Sequence, residues 1–92
     1  MRAYGRLMAA VRLLDHTVGS RVALARIVRG WTCGQLAGRT GLAPRTVKGI
    51  EAGELRAGAT RLFGFSVVLG VPISWFFEPR SRLRWRRQLT RQ

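Results

Sequence analysis

Glycine and proline punctuation cuts the middle of this chain into pieces too short for anything but a set of small helices. Val18, Val22, Ala25 and Val28 recur at helical spacing until Gly30 stops the run. Thr32-Cys33-Gly34-Gln35 then reads as a capping box, with Thr32 as the cap and Gln35 reaching back to it. Leu36 and Ala37 give this second helix its buried face, and Thr40-Gly41 breaks it. Pro44 opens a third helix, where its missing N–H costs nothing, and the helix runs through Val47 and Ile50 to end near Gly53. Leu62, Phe65, Ser66 and Leu69 place a fourth stripe that closes at Gly70. Pro72 starts a fifth short helix bearing Ile73, Trp75, Phe76 and Phe77. No stretch alternates with period two among strand formers, so the sequence predicts an all-α domain of five helices.

Size and charge narrow the function. Ninety-two residues, 47% of them apolar, suit one domain with one modest core. Lys+Arg number 17 against 4 Asp+Glu, a formal charge of +13 that calls for a polyanionic partner: nucleic acid first, an anionic membrane surface second. Sixteen of those 17 cations are arginines, with Lys48 the one lysine. A GC-rich genome explains arginine over lysine but not the scarcity of acids. Cys33 and His16 are the sole cysteine and histidine, which excludes an intrachain disulfide and a His/Cys metal site. With no site joining nucleophile, base and oxyanion donor, an enzyme is not expected. The longest uncharged run, Leu62 to Phe77, is too short to span a bilayer and is broken by Gly64, Gly70 and Pro72. Leu7–Val11 is too short for a signal-peptide core. A soluble, cytoplasmic protein without a membrane partner is the expectation.

Residues 33–52 have what a helix-turn-helix unit requires. Ala37 is small where the second helix passes the third, and Gly41 sits in the tight turn where a positive φ is cheapest. Leu42, Val47 and Ile50 plug the unit onto the core, leaving the outer face of the third helix for a DNA major groove. The run from Trp31-Thr32 through Leu36-Ala37 and Thr40-Gly41-Leu42-Ala43-Pro44-Arg45-Thr46-Val47 to Ile50-Glu51-Ala52-Gly53 resembles the XRE family of Cro-like and phage-repressor-like regulators. Leu69-Gly70-Val71-Pro72-Ile73-Ser74-Trp75-Phe76-Phe77-Glu78 continues the likeness, and with Arg56 to Phe63 it looks like a subgroup common in alphaproteobacteria. The resemblance covers about residues 18–78. Residues 1–17 stand outside it as an N-terminal extension, and 79–92 as a basic tail.

The resemblance implies a lambda-repressor-like five-helix domain that binds double-stranded operator DNA as a homodimer, without cofactor or enzymatic activity. Carried over residue by residue, it places base contacts at Arg45, Thr46 and Lys48. Arg45 suits a bidentate contact to guanine. Pro44 and Gly49 stand at two further reading positions without a side chain able to read a base. Phosphate contacts are expected from Thr32, Cys33, Arg56 and Arg61. Cys33 stands where the family often has glutamine, so its contribution there is the helix N-terminal amide. Arg26 and Glu51 match positions that form an ion pair between the first and third helices. Trp75, Phe76 and Phe77 are many aromatics for one short helix to bury in a small domain, and Phe63 and Val67 lie beside the core stripe of the fourth helix. They either complete the monomer core or form a homodimer interface, and the family's habit favours Phe63, Val67, Trp75 and Phe76 at the interface.

Three segments keep more than one reading. The tail holds Arg80, Arg82, Arg84, Arg86, Arg87 and Arg91 around Leu83, Trp85 and Leu89, suited to DNA phosphates or to plain solvation. Leu7, Val11 and Leu14 form a weak stripe that either extends the first helix or docks on a partner. Cys33 is read as a tolerated small residue rather than a redox switch. The whole reads as a transcriptional repressor. Its rivals are the antitoxin of a toxin–antitoxin pair, which would add a toxin as partner, and a charge-driven RNA or membrane-surface module.

Overall fold

The structure, a computed structural model, describes residues 2–78, apart from the side chains of residues 2–4 and 12. The expectations for Arg80, Arg82, Arg84, Arg86, Arg87 and Arg91 and for Leu83, Trp85 and Leu89 lie outside the described residues. Four α-helices follow in order: α1 (Arg2–Val28), α2 (Cys33–Thr40), α3 (Pro44–Glu51) and α4 (Gly58–Leu69), then a 3-10 helix (Ile73–Phe77). Residues 2–17 extend the first helix without a break at the expected boundary. Nothing in that stretch stops a helix: its one glycine, Gly5, is followed by twelve residues of adequate helix propensity.

The core collects one stripe from each element. Val22, Ala25, Leu36, Ala37, Val47, Ile50, Phe65 and Leu69 are buried, and Trp75 and Phe76 seal them from below. Burying a large apolar side chain contributes about 1.5–3 kcal/mol, so these positions decide whether the short helices hold together at all. Among the described residues of α1 the buried face has one charged member, Arg21. Arg21 donates from Nη1 to the carbonyl of Trp75 at 2.9 Å and from Nη2 to the carbonyl of Glu78. Its guanidinium also lies 5.6 Å from the Trp75 ring centroid. The long helix therefore clasps the end of the domain through the backbone carbonyls of Trp75 and Glu78, the first of which also accepts the Glu78 N–H at 3.3 Å.

The expectation that Trp75 and Phe76 anchor a second copy is corrected here. Both are 0% exposed in the single chain, set edge to face with ring centroids 5.5 Å apart. The fifth element is a 3-10 helix, closed by Trp75 N–H donating to Pro72 O at 3.0 Å. Its tight winding under α1 and α4 turns both rings inward and leaves Phe77 outside. Phe63 and Val67 behave differently, at 61% and 65% exposed on one face of α4.

Candidate nucleic-acid interface

The unit formed by α2 and α3 begins with its cap. Thr32 Oγ1 accepts from Gln35 N–H at 3.1 Å, and Gln35 Oε1 accepts from Thr32 N–H at 2.8 Å, a closed capping box. With Leu36 N–H taken by the Thr32 carbonyl, the amides of Cys33 and Gly34 are the two left pointing out of the α2 N-terminus. At the other end Gly41 adopts φ 73°, and its N–H and that of Leu42 return to the Ala37 carbonyl. That left-handed residue makes the turn tight enough for α3 to start three residues later. Pro44 occupies the first turn of α3.

Val47 and Ile50 are fully buried beneath α3, which fixes what its other face shows. Arg45 and Lys48 are exposed one turn apart, and Thr46 is half-buried beside them. Among the described residues neither the Arg45 nor the Lys48 side chain has a hydrogen bond or ion pair, so both cations are unspent. Gly49 does not belong to this outer face. A Cβ there would lie 3.3 Å from Leu55 Cβ, so the position faces the connection after α3.

The seat of α3 is set by two contacts with α1. Arg26 Nε donates to Glu51 Oε2 at 2.7 Å and Nη2 to Oε1 at 3.0 Å, a two-pronged pair with both side chains largely buried. The remaining Arg26 Nη1 donates to the Trp31 carbonyl at 2.8 Å, so one guanidinium ties α1, the turn before α2, and the end of α3. The hydrogen bonds that Arg26 donates to the Glu51 carboxylate raise its pKa above the ordinary value, against the opposing effect of burial. Gly19 makes the second contact. A Cβ there would sit 2.1 Å from the Ile50 carbonyl oxygen, so α1 and α3 touch backbone to backbone.

The expected phosphate-binding residues are placed unequally. Thr32 is exposed, with its oxygen committed to the cap and its hydroxyl proton still available. The Cys33 thiol points inward, 3.7 Å from Glu51 Oε1, which leaves only its amide for an outside anion. Arg56 is exposed but engages Asp15 on α1 at 3.3 Å. Arg61 is half-buried on α4.

Several residues that shape the site are not among the expected ones. Arg39, at the end of α2, stacks its guanidinium 4.1 Å from the Trp31 ring centroid. Arg21 had a signal in sequence, an arginine at i+3 of the Val18, Val22, Ala25 stripe. Gly19 had a weaker one, a glycine inside a helical run where it costs stability unless backbones approach. Nothing local announces Arg39 with Trp31, because eight residues and a helix cap separate them. Among the described residues no group of three or more His, Cys, Asp or Glu is placed to hold a metal. No helix of the described residues is long and apolar enough to cross a membrane.

Two short helices joined at a left-handed glycine, the second seated on a core and bearing unpaired cations outward, define the helix-turn-helix class of DNA-binding domain. A helix-turn-helix family model matches residues 22–76, and the chain belongs to the XRE-type helix-turn-helix family of DNA-binding transcription regulators. Two similar proteins are each described as an uncharacterized HTH-type transcriptional regulator, one from Sinorhizobium medicae (strain WSM419) and one from Rhizobium meliloti (strain 1021). Each is 38% identical over 65 residues, which is 71% of this chain and 47% of the relative. The chain thus spans about half the length of the curated relatives it matches. No solved structure matches it.

Proposed function

We propose that the protein is a transcriptional repressor that binds a short palindromic operator as a homodimer, acting in the cytoplasm on the nucleoid. The observation that carries this reading is the outer face of α3, where Arg45 and Lys48 stand exposed and unpaired on a helix locked from beneath by Val47, Ile50 and Glu51. In this reading α3 enters the major groove, Arg45 takes a guanine edge, and Thr46 and Lys48 add base contacts. Thr32, the Cys33 amide, Arg56 and Arg61 hold the flanking phosphates, and Arg56 exchanges Asp15 for a phosphate as it does so. Phe63 and Val67 on α4 form the contact between the two copies. Neutralised phosphates supply most of the affinity, and Arg45 supplies most of the sequence preference.

Fluorescence anisotropy with selected and scrambled duplexes tests the reading at low and physiological salt, for wild type and Arg45→Ala. Wild type is expected to prefer selected sites, and Arg45→Ala to lose about 1–3 kcal/mol of that preference while still binding. Equal binding of every duplex by both proteins, with common release as salt rises, would leave only an electrostatic coat.

A further inference from the structure

A groove of about 370 Å³ runs between α1, the connection from α3 to α4, and the 3-10 helix. Val11, Leu14 and Val18 line it from α1, Ile50 from α3, Leu62 from α4, and Phe77 from the end of the domain. Leu14 and Phe77 are exposed at its edge. Its charged members, Arg56 and Asp15, face each other at 3.3 Å.

We propose that this groove is a binding site for an apolar monocarboxylate, with the hydrocarbon lying on the apolar walls and the carboxylate on the Arg56 guanidinium. The volume lies within the range of about 300–1,000 Å³ typical of small-ligand sites, which are mostly apolar with a few polar groups fixing orientation. Asp15 meets Arg56 only at Nε, so the two Nη groups, on a side chain 63% exposed, are open to a second carboxylate. An anionic head is favoured over a cationic one because the chain carries +13. Gly58 and Ala59 line the same groove at the start of α4, whose cap residue Ala57 makes no side-chain bond and whose first turn has no acid. Their amides add to the pull on an anion beside Arg56. The groove is built of Ile50, an α3 residue, and closed by Arg56, a proposed phosphate ligand. An occupant therefore competes with DNA, a consequence that rests on the DNA-binding reading, whereas the binding itself does not.

The test is isothermal titration of the full chain, free of DNA, with decanoate, decanol and decylammonium below their micelle concentrations. Saturable binding of one decanoate per chain is expected, weakened about tenfold by Arg56→Gln and far less by Arg61→Gln, which removes the same charge elsewhere. Leu14→Asp, at an exposed position that does not threaten folding, is expected to abolish binding while the helical circular dichroism stays unchanged. Decanol binding as tightly as decanoate, or Arg56→Gln and Arg61→Gln weakening alike, overturns the proposal. So does binding that needs removal of residues 79–92, since the groove then belongs to the chain's own tail. Failure of operator binding in the anisotropy experiment leaves this titration unaffected, so the two readings fail separately.

Discussion

At the scale of single residues, the position of α3 depends on one ion pair and one missing methyl group. Glu51→Ala leaves the Arg26 guanidinium largely buried without its carboxylate, and is expected to cost about 3 kcal/mol in urea denaturation. The raised Arg26 pKa fixes the sign of the pH dependence. A group with a folded pKa above its unfolded value contributes fully below the unfolded value, and the contribution is lost only as pH rises through the folded one. For an arginine both lie at the alkaline extreme, so the stability difference between wild type and Glu51→Ala should stay flat from neutral pH to about pH 10. Gly19→Ala drives a methyl into the Ile50 carbonyl and should cost about 1–3 kcal/mol. Gly38→Ala, with nothing within 4 Å of its new methyl, should instead stabilise α2 by about 0.5–1 kcal/mol. Thermal melts of the two glycine variants therefore move in opposite directions, and a common gain would show that helix propensity, not backbone approach, governs position 19.

At the scale of elements, α2 and α3 have eight residues each, below the length at which isolated helices persist in water. Caps and the core therefore sustain them. Thr32→Ala removes the acceptor for Gln35 N–H and should cost about 1 kcal/mol, read as a shift of the urea midpoint with unchanged slope. This element was legible in sequence because a capping box is a local pattern: both partners lie within four residues. The long α1 was legible only in its second half, where Val18, Val22 and Ala25 meet a core. Its first half has the weaker stripe of Leu7, Val11 and Leu14, part of which lines the groove beside Phe77 rather than a closed core.

At the scale of the whole molecule, the proposed homodimer turns on which apolar surface is left exposed for a second copy. Four aromatic or aliphatic positions were expected there, and burial divides them: Trp75 and Phe76 complete the single chain's core, while Phe63 and Val67 stay outside. Sequence composition registers the excess of aromatics but not which of them the last turn folds inward. Replacing Phe63 and Val67 together by aspartate is expected to leave the helical circular dichroism and thermal midpoint near wild type. Sedimentation velocity should then report a monomer where wild type sediments as a dimer. A double variant that still dimerises would move the contact to another face.

The sequence by itself determined the helix-turn-helix unit, its cap, its turn and the family to which it belongs, because each depends on residues a few positions apart and on the period of the apolar stripe. The partnership of Arg26 with Glu51 was reachable only through the family resemblance, since 25 residues separate them. Tertiary structure alone decided the rest. It turned the Cys33 thiol inward to Glu51, gave Arg56 to Asp15, stacked Arg39 on Trp31, and made Gly19 the point where two backbones touch. The physical reason is common to all of them: these contacts join residues from eight to 41 positions apart, and no local propensity specifies which of several compatible neighbours a side chain will meet once the helices close on one core.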